Sequence, residues 1–221
     1  MTDTMHAAAS VGLRFFGRMS ASVSHDLKNT LSIMNESAGL LEDLALLAEK
    51  GRPLDPQRIK QLGATIKRQI QRTDGIVRNM NRFAHSVDVP FKEIAVAESL
   101  DVLLAICRRL TDARGLAVTI APCLPDVPIV TRPFDFYHLV WLLLEWCMQC
   151  AGPPGRLELR IEQAPTSVHL VFKRFAKLNP ETWEGFPNGE IRDLLTLLGA
   201  DLELKMDQHE VTAFLPRTIA A

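Results

Sequence analysis

Residues 24–56 read SHDLKNTLSIMNESAGLLEDLALLAEKGRPLDP, and the pattern of this segment indicates the class of fold. Its apolar positions recur at alternating spacings of four and three, at Leu27, Leu31, Met34, Ala38, Leu41, Ala45 and Ala48. This heptad pattern predicts one long helix, from about Val11 to Lys50, with a continuous packing seam. The following Gly51 and the prolines at 53 and 56 end that helix and indicate a connection to another.

The next segment, residues 57–86, repeats the same spacing on a second predicted helix. Its seam positions are Ile59, Leu62, Ile66, Ile70, Thr73, Val77, Met80 and Ala84. Two long helices joined by a short turn form an antiparallel hairpin. The first helix also carries apolar residues beside its seam, at Ile33, Leu40, Leu44 and Leu47. A lone hairpin leaves such residues uncovered, so we expect two hairpins to pair as a homodimeric four-helix bundle.

Beyond Val89-Pro90 the pattern changes to shorter elements, which predict a second domain. We expect helices near 96–114, 136–150 and 190–198, and strands near 116–120, 156–163, 167–175, 201–206 and 211–215. The predicted class is α+β: a helical hairpin over residues 1–88, followed by an α/β sandwich over residues 89–221.

The composition narrows the class of protein. The chain has 221 residues, of which 47% are apolar and 23% charged, as in ordinary globular proteins. With 25 basic and 26 acidic side chains the net charge is −1, so no overall field favours nucleic acid or a membrane surface as partner. The longest apolar runs are far shorter than a bilayer-spanning helix, and the start of the chain is not typical of a signal peptide. We therefore expect a soluble, cytoplasmic protein.

The segment from Ser24 to Leu31 contains a His followed by an acidic residue, on the first helix of the hairpin. It resembles the phosphoacceptor box of dimeric sensor histidine kinases. Helical geometry agrees, because His25 lies roughly 160° to 240° around the helix from the predicted seam and therefore points to solvent.

The resemblance implies a role for three residues. A neutral imidazole nitrogen of His25 would accept the phosphoryl group, and Asp26 could fix the ring tautomer and disperse its developing charge. Asn29 matches a family position that orients a hydrolytic water in dephosphorylation of a response regulator. The family commonly has Pro at the next position, where this chain has Thr30, so the helix should bend less there.

The second domain resembles the ATP-binding domain of the same kinases, most visibly at residues 139–155 and 198–204. Its nucleotide motif is altered, because Trp141 and Glu145 stand where the kinases have two Asn residues, the second of which binds magnesium. A carboxylate at 145 could still hold a metal. The adenine-recognising Asp-x-Gly-x-Gly after the strand at Val168 is missing, as is the Gly-rich lid, so we expect no normal ATP binding and no resident cofactor or metal.

These features predict a phosphorelay phosphotransferase. His25 would accept phosphate from one response-regulator receiver and pass it to another, with magnesium supplied by the receiver. We expect Ser22, Lys28 and Ser32 to contact the receiver on the exposed side of the first helix. Three alternatives stay open: a response-regulator phosphatase that depends on Asn29, a non-catalytic pseudokinase dimer that binds a response regulator, and, least favoured, an autokinase with an unorthodox nucleotide site.

Overall fold

A computed structural model describes residues 2–122, 127–151, 155–173 and 185–219, without the side chains of residues 2–9 and 206. The chain begins with two long helices, α1 (Thr2–Glu49) and α2 (Pro56–Ala84). They pack against each other as the predicted antiparallel hairpin.

The turn between these helices is built from the residues that the sequence indicated. Gly51 adopts a φ of 79°, and its N–H donates to the Ala48 carbonyl over 2.9 Å. A residue without a Cβ tolerates this left-handed conformation at a helix end. Asp55 caps α2 by accepting the Gln57 N–H over 2.9 Å, and Pro56 occupies the first helical position.

The contact line between α1 and α2 is displaced from the seam that the sequence predicted. Thr30, Ser37 and Leu44, which are seven residues apart, are buried. Two of the predicted seam positions, Leu31 and Ala38, are exposed, Leu31 by 57%. The heptad pattern was right in period and wrong in phase, because it merged the stripe that faces α2 with a neighbouring apolar stripe that the hairpin leaves uncovered.

The second domain contains a five-stranded sheet in the order β2-β4-β5-β7-β6, with β2 and β4 parallel and the other neighbours antiparallel. Two more strands, β1 and β3, form a separate antiparallel pair. The bounds of the elements are β1 (Lys92–Ala95), α3 (Val96–Asp112), β2 (Leu116–Ile120), β3 (Pro128–Thr131), α4 (Pro133–Ala151), β4 (Gly155–Gln163), β5 (Ser167–Lys173), α5 (Gly189–Leu198), β6 (Asp201–Lys205) and β7 (Glu210–Pro216). The α+β prediction is confirmed; among the strands of the described residues, the short pair β1 and β3 was missed.

The helices of this domain cover one face of the sheet. Strand β4 buries Leu157, Leu159 and Ile161, while the alternate residues Arg156, Arg160 and Glu162 are exposed, as expected for a sheet with one covered face. Helix α4 is buried on most of its sides and carries the central residues of the core. Within the described ranges, even this helix lacks the continuous apolar length that a bilayer crossing would need.

The hydrophobic core continues from the domain into the hairpin. Phe15 of α1 and Phe83 of α2 are almost fully buried, with ring centroids 5.5 Å apart. Phe83 also contacts Tyr137 of α4 at 5.8 Å, and Phe15 contacts Phe134 at 5.5 Å. The boundary between residues 88 and 89 therefore stays a prediction, since side chains from both sides of it pack together.

Candidate functional site: the His25 strip and the adjoining face of α4

His25 lies on the outer side of α1, and its side chain is 55% exposed. The side chain of Asp26 is 18% exposed, with one carboxylate oxygen 3.9 Å from His25 Nδ1. This distance is longer than a hydrogen bond, so in this conformation Asp26 acts on the ring through its charge. The arrangement leaves the imidazole open to a partner and places a negative charge beside one of its nitrogens.

Three of the predicted site residues form a strip with His25. Asn29, Lys28 and Ser32 are exposed. At about 100° per residue, Asn29 and Ser32 lie within about 40° of the direction of His25, and Lys28 lies within about 60°. The geometry thus brings these side chains to one side of α1, while their roles remain predictions.

Ser22 does not belong to this strip. We predicted that it contacts a partner at the surface, but its side chain is only 1% exposed. It lies between Met19 and Val23, which both belong to the core that α1 shares with the second domain. The prediction was wrong because docking of the domain against this part of α1 covers a turn of helix that the sequence pattern leaves open.

Thr30, which stands where the kinases commonly have Pro, joins the two helices. Its hydroxyl donates to the Leu27 carbonyl over 2.8 Å and accepts from Thr73 of α2 over 2.9 Å. Helix α1 runs without interruption through this position, in accordance with the absence of Pro. A hydrogen bond between helices therefore lies five residues from His25.

One face of α4 is covered by α1. Arg18 forms an ion pair with Glu145, with a nitrogen to oxygen distance of 2.7 Å, and its guanidinium lies 4.9 Å from the centre of the Trp141 ring. Arg114, at the end of α3, approaches the same carboxylate at 3.7 Å. Sequence reasoning missed Arg18. The available signal was its spacing of seven residues from His25, which places both on one side of α1.

The same face of α4 contains a buried histidine. His138 stacks on Phe15 with ring centroids 4.5 Å apart, and its Nε2 lies 3.0 Å from a carboxylate oxygen of Glu190 on α5. Burial lowers the pKa of His138 to about 4, which nearby Asp135 opposes only in part. Burial also raises the pKa of Glu190. Because its pKa lies well below 7, His138 is neutral at neutral pH, with its Nε2 facing the carboxyl group of Glu190.

Solved structures with a similar architecture include two of histidine kinase ThkA. The catalytic domain of histidine kinase ThkA is similar with a TM-score of 0.50 and 11% identity, covering 60% of this chain and all of that one. ThkA in complex with the response regulator protein TrrA is similar with a TM-score of 0.50 and 14% identity, over 93% of this chain and 63% of that one. The protein has a histidine kinase fold.

The Acinetobacter baumannii histidine kinase AdeS is similar as well, with a TM-score of 0.49 and 10% identity over 87% of this histidine kinase-like chain and 98% of its own. Neither a family model nor a curated protein matches the sequence. At these identities the likeness establishes the fold alone.

In the histidine kinase-like domain, the altered motif positions Trp141 and Glu145 both contact Arg18. The carboxylate that the sequence left as a candidate metal ligand is thus engaged by guanidinium groups. Across the part of the chain that the structure describes, no three His, Cys, Asp or Glu side chains are grouped so as to hold a metal ion. Residues 174–184, which include most of the altered adenine-recognition and lid segment, lie outside the described residues.

Proposed function

We propose that this protein carries phosphate on His25 within a two-component phosphorelay and does not make it from ATP. The observation that carries the proposal is the exposed His25 beside Asp26 on a hairpin of a histidine kinase fold. The solved complex of ThkA with a response regulator supports a receiver domain as the partner. Magnesium would come from the receiver.

In the proposed reaction, Nε2 of His25 attacks the phosphorus atom of a receiver aspartyl phosphate. The bond between phosphorus and the aspartyl oxygen breaks, and the receiver carboxylate leaves with the electron pair. The attacking ring must be neutral, with its proton on Nδ1, the nitrogen that faces Asp26. The Asp26 charge favours this tautomer and stabilises the positive charge that develops on the ring. Transfer to a second receiver is the reverse of these steps.

The face of α4 argues against an autokinase. Arg18 already neutralises Glu145 at 2.7 Å, and Arg114 adds a second positive charge at 3.7 Å. A divalent cation would meet net repulsion at this carboxylate. The Arg18 guanidinium lies over the Trp141 ring, and the Phe15 ring stacks on His138. Helix α1 therefore covers the face of α4 that carries the altered motif.

We further propose a homodimer, because one side of the hairpin carries uncovered apolar residues on both helices. Leu31 on α1 is 57% exposed, and Ile70 and Val77 on α2 are 49% and 42% exposed. Each of these three side chains lies about 40° to 100° around its own helix axis from the contact between Thr30 and Thr73, and in the same rotational sense. In antiparallel helices this leads to the same side of the hairpin. A second hairpin would bury that stripe.

A different side of α1 suits the receiver. Leu40, 40% exposed, lies nine residues after Leu31 and therefore about 180° from it around the helix. It is within about 60° of His25 and about 20° of Asn29. Leu40 therefore lies on the side of α1 that the proposed dimer leaves open to a receiver.

The decisive experiment incubates the purified protein, without ATP, with receivers phosphorylated by labelled acetyl phosphate. We expect acid-labile, base-stable label on the wild type and none on His25→Ala. His85→Ala is a matched control, because His85 is also exposed on the hairpin and also faces a carboxylate, Asp88, at 2.7 Å. Label that persists in His25→Ala, or that never appears with any receiver, would overturn the proposal, and the latter would favour a non-catalytic dimer.

A phosphatase is the second candidate, since Asn29 is exposed one turn from His25 and on nearly the same side. Here the amide would orient water toward the receiver phosphate. The same assay separates the two functions. Receiver phosphate lost without labelling of this protein, through a step abolished in Asn29→Ala and retained in His25→Ala, identifies the phosphatase.

A further inference from the structure

Helix α1 and helix α4 make a contact that combines stacking, charge and a cation over a ring. His138, Trp141 and Glu145 follow each other at spacings of three and four, and therefore share one face of α4. Phe15 covers the first of them with nearly parallel rings, 7° apart, and Arg18 contacts the other two. Three residues on one face of α4 thus meet two residues about one turn apart on α1.

The charges at this contact are partly withdrawn from water. The Glu145 side chain is 20% exposed, and those of Arg18 and Arg114 are 39% and 42% exposed. Their attraction is therefore less screened than in a pair on the open surface. The Trp141 ring holds the guanidinium from a second direction, which restricts a long flexible side chain to one position.

The contact lies beside the phosphoacceptor. His25 follows Arg18 by seven residues, or two helical turns, about 10 Å along the axis and only about 20° around it. A partner centred on His25 and as large as a small domain, with a radius of about 13 Å, would therefore reach the part of the second domain that Arg18 holds.

We propose that Arg18 is a positioning residue that holds α4 against α1 through Trp141 and Glu145, a contact that we call the clamp. The second domain is then held in a fixed position and forms part of the surface that a receiver meets at His25. The clamp is formed on the face of α4 where Trp141 and Glu145 stand in place of the two Asn residues of the kinase motif. The clamp itself rests on the observed contacts alone. Its effect on phosphate transfer rests on the proposed function.

Hydrogen exchange in the full-length protein tests the clamp without any assay of activity. Arg18→Glu should accelerate exchange of the α1 amides at residues 12–22 by roughly tenfold, because repulsion from Glu145 opens the contact. Arg18→Glu combined with Glu145→Arg restores the pair, and should return exchange to within about threefold of the wild type. Arg68→Glu is the matched control on α2, since Arg68 is exposed and its side chain contacts Thr65 of its own helix.

Unchanged exchange in Arg18→Glu would overturn the clamp, and so would failure of the double variant to restore protection that Arg18→Glu had lost.

Phosphate transfer then tests the consequence of the clamp for function. We expect a several-fold higher apparent KM for the phosphorylated receiver in Arg18→Glu, a smaller change in turnover because His25 is intact, and recovery in the double variant. If hydrogen exchange shows that the contact has opened in Arg18→Glu and phosphate transfer is still normal, the second domain has no role in the receiver surface. A wild type that transfers no phosphate would overturn the proposed function, while hydrogen exchange would still decide the clamp.

Discussion

The hydroxyl oxygens of Thr30 and Thr73 lie 2.9 Å apart across the two helices of the hairpin. Thr73 donates to Thr30, which in turn donates to the Leu27 carbonyl at 2.8 Å. This short chain of hydrogen bonds crosses the buried contact between α1 and α2, where a polar pair fixes how one helix is registered against the other.

The threonine pair predicts an interaction energy between the helices. Thr30→Val and Thr73→Val should each lower the free energy of unfolding by about 1 kcal/mol, because each removes a hydroxyl without changing side-chain size. The double variant should lose less than the sum of the two, which urea titration measures. Thr196→Val is the control, since Thr196 is exposed and donates within its own helix, to the Arg192 carbonyl. Strict additivity would show that the two hydroxyls are not coupled.

Two leucines on opposite sides of α1 predict separate defects. Leu31→Glu should convert the proposed dimer to a monomer, because it places a charge in the stripe that a second hairpin would cover. Leu40→Glu should leave the dimer intact and weaken transfer from a phosphorylated receiver. Light scattering measures the first property and the transfer assay the second. The two variants control for each other, and an exchange of their phenotypes would reverse our assignment of the two sides.

His138 predicts a loss of stability in mild acid. In the unfolded chain a histidine titrates near pH 6.5, whereas burial lowers the pKa of His138 to about 4. Between these values the unfolded state binds more protons, so stability falls as the pH drops from about 6.5 toward 4. This amounts to about 2 kcal/mol between pH 7 and pH 5.

Replacement of His138 by Gln tests this origin. Glutamine keeps an N–H that can donate to Glu190 but does not titrate in this range. The variant should therefore lose about 2 kcal/mol less than the wild type between pH 7 and pH 5, as measured by chemical unfolding at each pH. Equal losses in both proteins would assign the acid sensitivity to other groups.

Phe83 predicts joint unfolding of the hairpin and the second domain. Its side chain is fully buried, with ring centroids of Phe15 and Tyr137 at 5.5 Å and 5.8 Å. Phe83→Ala should lower the free energy of unfolding by about 3 to 5 kcal/mol. Helical circular dichroism and tryptophan fluorescence should report one common transition in the wild type, because the tryptophans all lie in the second domain. Two separate wild-type transitions would contradict the shared core.

Structural features that depend on neighbouring residues could be predicted from the amino-acid sequence. The heptad period of residues 27–48 specified a long helix, and Gly51 with Pro56 located its end and the start of the next. Alternation of apolar residues gave strands β4 and β5. The solvent-facing direction of His25 followed from helical geometry, because an angle around a helix depends only on residue number.

The stripe of α1 that meets α2, and the cover over the helical turn before His25, depend on how the folded elements pack together and could not be predicted. The apolar period is the same for either stripe, so the phase was settled by the fit of Thr30 against Thr73. The burial of Ser22 and the contact of Arg18 with Glu145 arise where the second domain docks on α1. That contact joins residues more than a hundred positions apart in the sequence. Its energy comes from opposite charges and complementary surfaces, which approach each other only after α1 and α4 have folded.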